Sequence, residues 1–453
     1  MTLSVTQILA DFSVNTPTAQ IPEDVKERAL ALVTDLIGSA IRAAHEADST
    51  PAILSMLAKM GMDGEGICTV FGLNRRYPPA AAALLNGALG HSLDFDDTHA
   101  DSSLHPSAPV VPAALAAAEM IGASGDELLA AIVTGFEVCC RLGMALDPTA
   151  HYARGFHPTA TAGTFGAAAA AGRLFGLDGQ AMISAFGIAA SQASGSLQFL
   201  ANGAWNKRYQ VGEAAMKGLM AATLASEEFV GAIDAIEGTH GFLAGYSDAP
   251  APSRAVAGLG SVWETMKIGV KPYPACRYTH AAVDGLLALH REHAWQTNDI
   301  ERITIGLHKN GITLVGAPLE QKRRARSIVE GQFSMPFAAA VALLRGEFGW
   351  DDYDLLGKPE VDMLSDRVHV VRDSDLEGLR HPFGATIEVV SNGEVYSRHI
   401  ADPSGEPDTF PSSTALAAKF KRLAEPVLNM NADTLFRKIQ DVPSAPDIRI
   451  HFA

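Results

Sequence analysis

The chain has few cysteines, and none of them stand at metal-binding spacing. The four are Cys68, Cys139, Cys140 and Cys276, without a Cys-x-x-Cys pair. A structural zinc site or a cysteine-ligated iron-sulfur cluster depends on such pairs, so both have little support. We expect buried thiols at the first three positions, whereas Cys276 lies in a polar, basic motif.

Positive charge is also scarce. The chain carries 35 Lys and Arg against 51 Asp and Glu, a formal net charge of -16. This balance argues against nucleic acid as a partner. If the substrate is an anion, its site must carry its own Lys, Arg and His residues.

Long uninterrupted apolar runs are missing as well. Pro112 and Glu119 interrupt the apolar stretch 108–123 before it could span a bilayer. The start of the chain lacks the basic region of a signal peptide. We therefore expect a cytoplasmic protein without a membrane partner. Its 453 residues, 47% of them hydrophobic, suffice for a globular enzyme with a large core and two domains.

Helical periodicity dominates residues 22–226. Pro22 can open a long helix whose apolar face runs from Val25 to Ile41. Ser124 and Glu127 have the form of a capping box, which predicts a helix to about Leu146. Ala and Gly fill residues 159–174, as suits a helix packed closely among others.

The period changes between about residues 301 and 398. Alternating apolar residues predict strands near Ile305 and Val370, and residues 385–400 predict a hairpin that turns at Asn392-Gly393. Helical pattern persists at 277–293 and 327–344, and it returns at 414–424 and 432–440. We predict a mainly α protein with a helical domain, 1–266 and 402–453, interrupted by a smaller α+β domain, 267–401.

Residues 94–108 hold four carboxylates and two imidazoles between Ala-rich segments. Charged groups this dense beside core segments must be solvated, bind a cation or line a site. One interpretation is a solvated loop with Asp caps, and a second is a magnesium-diphosphate site, for which no second metal motif is found. In the third, His105 carries a proton, Asp94 orients a neighbour and Thr98 bonds a substrate carboxylate.

Three further motifs carry candidate site residues. His157, like His105, precedes a proline that opens an Ala-rich helix, so both helix N-termini are expected to point at one site that favours anions. Lys207 precedes a small-residue helix. Lys271 lies in a proline-stiffened loop that also contains Cys276 and Arg277, where rigidity would preorganise a cation or form a hinge. The pair His381-Pro382 lacks such a context, and we interpret it as part of a loop.

These motifs, in this order along the chain, closely resemble those of the MmgE/PrpD family. The segments that carry the resemblance are 91–98, 105–107, 111–113, 155–159, Lys207 with 212–215, 271–277 and His280. The resemblance implies a large all-helical domain built from both ends of the chain and a smaller α+β lid. It also implies a homodimer that uses neither a metal nor an organic cofactor.

Carried over to this sequence, the resemblance implies a set of active-site residues. The catalytic ones are His105, Asp94, Lys271 and His157, and the substrate-binding ones are Thr98 and Lys207. To the substrate-binding residues we add Arg277, as a further cation, and Cys276. Asp96, Asp97 and Asp101 are expected to be caps, supporting partners or solvated groups. Two features depart from the animal decarboxylase of the family, which has histidine at the position of Cys276 and one residue fewer between Thr98 and His105.

The expected function is a cofactor-independent lyase for a small di- or tricarboxylic acid such as 2-methylcitrate or cis-aconitate. Dehydration and decarboxylation both pass through a carbanion-like state beside a carboxylate, which needs cations and an acid/base pair. An epimerase of an aminodicarboxylate such as iminodisuccinate is the alternative. A non-enzymatic helical scaffold is a remote third, in which the site residues would be scattered over the surface.

Overall fold

The structure is a computed structural model that describes residues 4–378 and 382–452, so His381 lies outside the described residues. It confirms a mainly α protein. The chain divides into two compact units, Met1–Gly269 with Ser412–Ala453, and Val270–Pro411. The domain boundaries at 267 and 401 stay a prediction, because compactness alone does not define a folding domain.

Helices form most of the first unit. Its N-terminal part contains α1 (Val5–Asn15), α2 (Glu23–Glu46), α3 (Thr50–Lys59), α4 (Pro79–Gly90), α5 (Ser107–Ile121), α6 (Gly125–Ala145), α7 (Pro148–Ala153), α8 (Pro158–Leu174), α9 (Gly179–Gln192), α10 (Asn206–Ser226), α11 (Phe242–Tyr246) and α12 (Pro252–Val256). Short strands lie between them: β1 (Cys68–Thr69), β2 (Arg76–Tyr77), β3 (Thr98–His99) and β4 (Ile268–Gly269).

The capping signals in the sequence set the ends of the long helices. Pro22 is the N-cap of α2, and the helix buries the predicted apolar face. Ser124 and Glu127 form both halves of a capping box at the start of α6. This motif satisfies backbone N–H groups that the first helical turn leaves without partners.

Small residues allow the central helices α4, α8 and α10 to pack closely. A Cβ atom at Gly212 of α10 would collide with the Leu84 carbonyl oxygen of α4, and one at Gly218 would collide with Ala167 of α8. Only glycine fits these two contacts. They fix α10, and therefore Lys207 in its first turn, against the core.

Strand β3 pairs antiparallel with β4, so that Thr98 lies opposite Gly269. The sequence pattern did not indicate this two-residue pairing. His99 supports it: its Nε2 lies 3.1 Å from the Glu264 carboxylate and its Nδ1 lies 2.7 Å from the Ser102 hydroxyl. The pairing anchors the acidic tract to the end of the N-terminal part of the first unit.

The second unit combines helices with a four-stranded sheet. Its elements are α13 (His280–His293), β5 (Ile300–Leu307), α14 (Lys309–Gly311), α15 (Leu319–Lys322), α16 (Ile328–Gln332), α17 (Met335–Arg345), α18 (Pro359–Ser365), β6 (Val368–Arg372), β7 (Ala385–Ser391) and β8 (Glu394–Ile400). The strand order is β6-β5-β7-β8, with β6 parallel to β5 and the other pairs antiparallel.

The sheet confirms the predicted strands and hairpin. Asn392 and Gly393 both have positive φ, 52° and 76°, as a tight Asn-Gly hairpin turn requires. The helix predicted over 327–344 is instead broken into α16 and α17. Ser334 adopts an extended backbone and its hydroxyl accepts a hydrogen bond from Phe337 N–H, so Ser334 starts a new helix instead of continuing the first.

The C-terminal segment returns to the first unit as α19 (Ser413–Leu428), α20 (Asn431–Gln440) and α21 (Ile448–His451). Helix α19 packs along α2 and buries Leu416, Phe420 and Leu423. This confirms the helices predicted at 414–424 and 432–440.

Within the described residues, α6 alone is long and apolar enough to cross a membrane, judged by length and composition only. Its apolar window is entirely buried in the protein. A core helix passes the same test, and the position of α6 in the packing is that of a core helix.

Candidate active site

The ring of His91 in the first unit packs against the rings of two other histidines, His105 and His157. His91 caps the C-terminal end of α4, and its ring centroid lies 4.9 Å from that of His105 and 5.7 Å from that of His157. His105 immediately precedes the proline that opens α5, and His157 is the N-cap of α8. The N-terminal ends of α5 and α8 therefore converge on one place, as the two His-Pro motifs led us to expect.

A carboxylate holds His91 in position. Its Nδ1 lies 2.6 Å from Asp96 Oδ2, and both side chains are fully buried. A carboxylate accepts hydrogen bonds, so the Nδ1 atom of His91 is the one that carries the proton.

The contacts of His105 fix its orientation as well. Its Nδ1 donates to the Asp97 carbonyl oxygen over 2.7 Å, and its backbone N–H donates to the Thr159 hydroxyl. A carbonyl oxygen can only accept, so Nδ1 is protonated and the exchangeable position is Nε2. Asp96 lies 3.8 Å from Nδ1 and can compensate the charge of a protonated ring. The ring keeps some exposure, as a proton carrier needs.

His157 has the opposite arrangement. Its Nδ1 lies 2.9 Å from the side-chain nitrogen of Gln210, which donates, so a neutral ring carries its proton on Nε2. Burial lowers the pKa of His157 well below its ordinary value, and the neighbouring His91 and Lys207 lower it further. His157 is thus a neutral hydrogen-bond donor at Nε2.

Lys207 supplies the positive charge of this cluster. It lies in the first turn of α10, where the helix dipole disfavours a cation, and its Nζ donates to Asp94 Oδ1 at 2.5 Å. Burial lowers the pKa of Lys207, but the Asp94 and Asp96 carboxylates outweigh burial and leave the pKa raised. Lys207 therefore stays charged at neutral pH.

Asp94 itself has a strained backbone. Its φ is 53°, in the left-handed region that costs a non-glycine residue roughly 1 kcal/mol. Residues held this way cluster at functional sites. With this backbone conformation the buried Asp94 carboxylate contacts Lys207, and Asp96, two residues later, contacts His91 and lies near His105.

Asp97 supports the start of α5. Its carboxyl oxygens accept from the Ser107 hydroxyl at 2.7 Å and lie 3.3 Å from the Ser107 N–H. Burial raises the pKa of Asp97 well above its ordinary value, and Asp96 adds to the effect. Asp96 and Asp97 are thus a positioning partner and a cap, two of the roles expected for them, although both are buried and neither is solvated.

We call the residues joined by these contacts the site cluster: His91, Asp94, Asp96, Asp97, His105, His157 and Lys207. Four of its members, Asp94, His105, His157 and Lys207, are predicted site residues. Thr98, half-buried, begins β3 one residue after the cluster. The scaffold hypothesis expected these side chains to be scattered, and for these four the structure shows the opposite.

His91, Asp96 and His105 have potential metal-ligand atoms within 4.8 Å of one another. The Nδ1 proton of His91 goes to Asp96 and that of His105 goes to the Asp97 carbonyl, so a cation would bind these two rings through Nε2. A reaction without a metal stays a prediction from the family resemblance.

The other predicted site residues belong to the second unit. Lys271 lies at the start of a loop and Cys276 at its end. Two hydrogen bonds hold this loop: Cys276 N–H donates to the Gln332 carbonyl, and the Tyr353 hydroxyl donates to the Pro274 carbonyl. Arg277 pairs with Glu406 and stacks over the Phe383 ring at 4.2 Å. The Arg277 guanidinium is therefore already neutralised within its own unit, which suits an anchor of the loop better than a substrate cation.

The roles of His91 and Gln210 were not predicted from the sequence, although His91 lies in the motif that carries the family resemblance. Both had a signal. Gln210 lies three positions after Lys207 in α10, so both share a helix face. His91 lies five positions before Asp96, at the end of a helix whose last residues are all buried.

Comparison with known proteins identifies related chains over most of the length. A family model for the MmgE/PrpD N-terminal domain matches residues 7–255, and one for the MmgE/PrpD C-terminal domain matches residues 273–443. The site cluster falls in the first match, and Lys271 falls between the two.

Curated relatives carry a consistent name. The chain is 31% identical to a cis-aconitate decarboxylase-like protein oryM of Aspergillus oryzae, over 94% of this chain and 92% of the relative. It is 30% identical to a cis-aconitate decarboxylase of Aspergillus terreus, over 97% and 92%. A human cis-aconitate decarboxylase is 32% identical over 60% of this chain and 56% of its own length.

Proposed function

The chain belongs to the MmgE/PrpD family and is a lyase, and from this premise we propose that it decarboxylates cis-aconitate without a cofactor. The observation that carries the proposal is the site cluster: a proton carrier, a neutral donor and a charged lysine packed together in a chain about 30% identical to cis-aconitate decarboxylases over more than nine-tenths of its length. Relatives of this name support decarboxylation over dehydration, and no observation favours the epimerase.

The chemistry needs one proton and a stabilised anion. The carboxylate on the methylene carbon leaves as carbon dioxide, and its bonding electrons form a new double bond to the central carbon. The former double bond shifts its electrons to the outer CH carbon, beside a second carboxylate, and a proton must be added there. The protein must therefore hold three carboxylates, stabilise the growing charge and deliver one proton.

His105 is the group that delivers the proton in this proposal. Its Nδ1 proton is committed to the Asp97 carbonyl, so Nε2 is the atom that can gain and lose a proton. Asp96 compensates the charge of the protonated ring from 3.8 Å. The lowered pKa of His157 argues against that residue as the carrier, and His157 instead donates a hydrogen bond from Nε2 to a substrate carboxylate.

Lys207 binds the substrate and stabilises the anion. Its pKa is raised, so it keeps its charge over the working pH range, and Asp94 fixes its ammonium group at a helix start that would otherwise disfavour it. Thr98 is proposed to bond a second carboxylate. The role of Lys271 stays a prediction from the family resemblance, and those of Cys276 and Arg277 stay predictions from the sequence. A Lys271→Ala variant with full activity would contradict the role of Lys271.

A substrate panel tests the proposal. Pure protein is incubated with cis-aconitate, 2-methylcitrate and an aminodicarboxylate, and carbon dioxide release, water loss and optical rotation are followed in parallel. Release of one carbon dioxide per cis-aconitate, unchanged by a chelator, is the expected result. Loss of water from 2-methylcitrate without decarboxylation of cis-aconitate would make the chain a dehydratase instead.

The homodimer, which the family resemblance implies, and the cytoplasmic location, which is expected from the sequence, stay predictions. Sedimentation velocity of the pure protein tests the dimer, and fractionation of the source cells tests the location.

A further inference from the structure

Helix α19 places a lysine, to which the sequence motifs assigned no role, against the backbone of the acidic tract. Lys419 is buried, 7% exposed, and its Nζ donates to the Phe95 carbonyl oxygen at 2.9 Å. The same Nζ lies 2.7 Å from Asp35 Oδ1 of α2 and 3.8 Å from the centroid of the Phe95 ring. A single ammonium group thus joins α19, α2 and the backbone of the tract.

The carbonyl that Lys419 holds lies inside the strained turn. Phe95 directly follows Asp94, whose φ of 53° is unfavourable, and directly precedes Asp96, which orients His91. A hydrogen bond from a charged donor is stronger than one between neutral groups. The bond from Lys419 to the Phe95 carbonyl therefore opposes relaxation of the turn from this conformation.

The charge of Lys419 has a second effect. Burial and the Asp96 carboxylate raise the pKa of Asp35, and burial, Asp96 and Asp35 raise the pKa of Asp97. Lys419 is the partner of Asp35 and offsets part of this negative charge. The carboxylate of Asp96 can then remain available to His91 and His105.

We infer that Lys419 is a positioning residue for the reaction: through the Phe95 carbonyl and Asp35 it holds the 94–97 turn so that Asp94 meets Lys207 and Asp96 meets the two histidines. The expected loss of kcat rests on the proposed function, whereas the expected change in the 94–97 turn does not. It makes the C-terminal segment a part of the active-site architecture, although none of its residues belongs to the site cluster.

We call the contacts of Lys419 with Asp35 and with the Phe95 carbonyl the tether. The test removes the tether without leaving a buried charge unpaired. Replacing both partners of a buried ion pair by apolar residues is often neutral for stability, whereas removing one is strongly destabilising. The variant is therefore Asp35→Leu with Lys419→Met. We expect it to fold with little change in Tm, to lose about tenfold or more in kcat, and to change KM by less than about threefold, as for an effect on the transition state.

Two single variants serve as controls. Lys419→Arg keeps the charge and the N–H donors and is expected to retain most of kcat. Lys421→Met removes an exposed lysine two positions along the same helix, whose partners are Glu425 and Asp433, and is expected to leave kcat unchanged. A double variant with the kcat of the unmodified protein would overturn the inference.

Hydrogen exchange separates this inference from the proposed function. Amide exchange in a peptide covering 91–98 is expected to accelerate in the double variant relative to the rest of the first unit, whatever the substrate. If the protein turned over none of the carboxylates, the proposed function would fail while exchange still tested the tether. Should the apolar pair not fold, Asp35→Asn with Lys419→Gln replaces it, and an unchanged kcat and exchange rate in that variant would likewise contradict the inference.

Discussion

Two buried clusters of charged residues in the first unit contain similar residue types but have different roles. In the first, Arg141 pairs with Glu137 one turn earlier in α6 and donates to the carbonyl oxygens of Ala257 and Val262, and Glu137 accepts from the N–H and hydroxyl of Thr265. We call these three side chains the Arg141 cluster. The second is the site cluster.

The difference between them lies in how well each charge is compensated. In the Arg141 cluster the opposite charges sit on one helix and their remaining polar atoms bind backbone and threonine groups. The site cluster instead places a lysine at a helix N-terminus, an aspartate in a left-handed conformation and carboxylates beside one another. Locally unfavourable backbone conformations and charge placements that the rest of the fold maintains are typical of functional sites. The Arg141 cluster should therefore carry stability, and the site cluster activity.

Replacing the proton carrier should have the largest effect. His105→Gln keeps an N–H donor for the Asp97 carbonyl but has no titratable atom, so kcat is expected to fall by about 10³-fold, within the range for loss of general acid catalysis. His45→Gln, at a surface histidine bonded to the Gly72 carbonyl, is the matched control. Steady-state decarboxylation rates and Tm are measured together, and a large loss of Tm in His105→Gln would break the comparison.

The second effect is on stability. Arg141→Met leaves the buried Glu137 without its counter-charge, and the free energy of unfolding is expected to fall by about 3–5 kcal/mol. Urea denaturation measures this change. Below the unfolding transition the variant should keep its specific activity, and adding Glu137→Gln should recover part of the lost stability. An active-site defect in the folded variant would contradict the division of roles.

The third-largest effect is expected from loss of Lys207, the cation proposed to bind the substrate. Lys207→Met is expected to lower kcat/KM by about 10²-fold, because a preorganised donor to the developing charge is lost. Lys217→Met, ten positions along the same helix and paired with Glu213, is the control and should behave as the unmodified protein. Equal losses in both variants would show that general destabilisation of α10, and not the charge of Lys207, is responsible.

The smallest effect concerns pH. Asp97 has a raised pKa in the folded protein against an ordinary value of 3.8, so the folded state binds more protons than the unfolded state above about pH 4, and its stability falls as pH rises toward the folded pKa. Asp97→Asn removes this loss while keeping an acceptor for Ser107. Its Tm is expected to exceed that of the unmodified protein by roughly 2–4 °C at pH 8, with no difference near pH 3. A constant difference across this range would place the raised pKa in doubt.

Much of the fold was predictable because its signals are local. The capping box at Ser124 and Glu127, the proline at the start of α2 and the Asn392-Gly393 turn each depend on a few neighbouring residues. The break between α16 and α17 was missed because Ser334 lies within a continuous helical pattern and acts as a cap only in its observed extended conformation.

The site was predictable in part for the same reason. The two His-Pro motifs mark helix starts, and their convergence followed from the shared preference of helix N-termini for anions. The tether at Lys419 could not be found this way, because its partner Phe95 lies 324 positions away. The pairing of β3 with β4 joins segments of only two residues, too short for any periodicity.

We propose that this chain removes carbon dioxide from cis-aconitate and that His105 adds the proton. The most direct test is the reaction in heavy water, followed by proton and carbon NMR. We expect one carbon dioxide per substrate and one deuterium on the carbon that was the outer CH of the double bond, and we expect the His105→Gln variant to lose both. Release of carbon dioxide at an unchanged rate in that variant, or no release in the unmodified protein, would contradict this proposal.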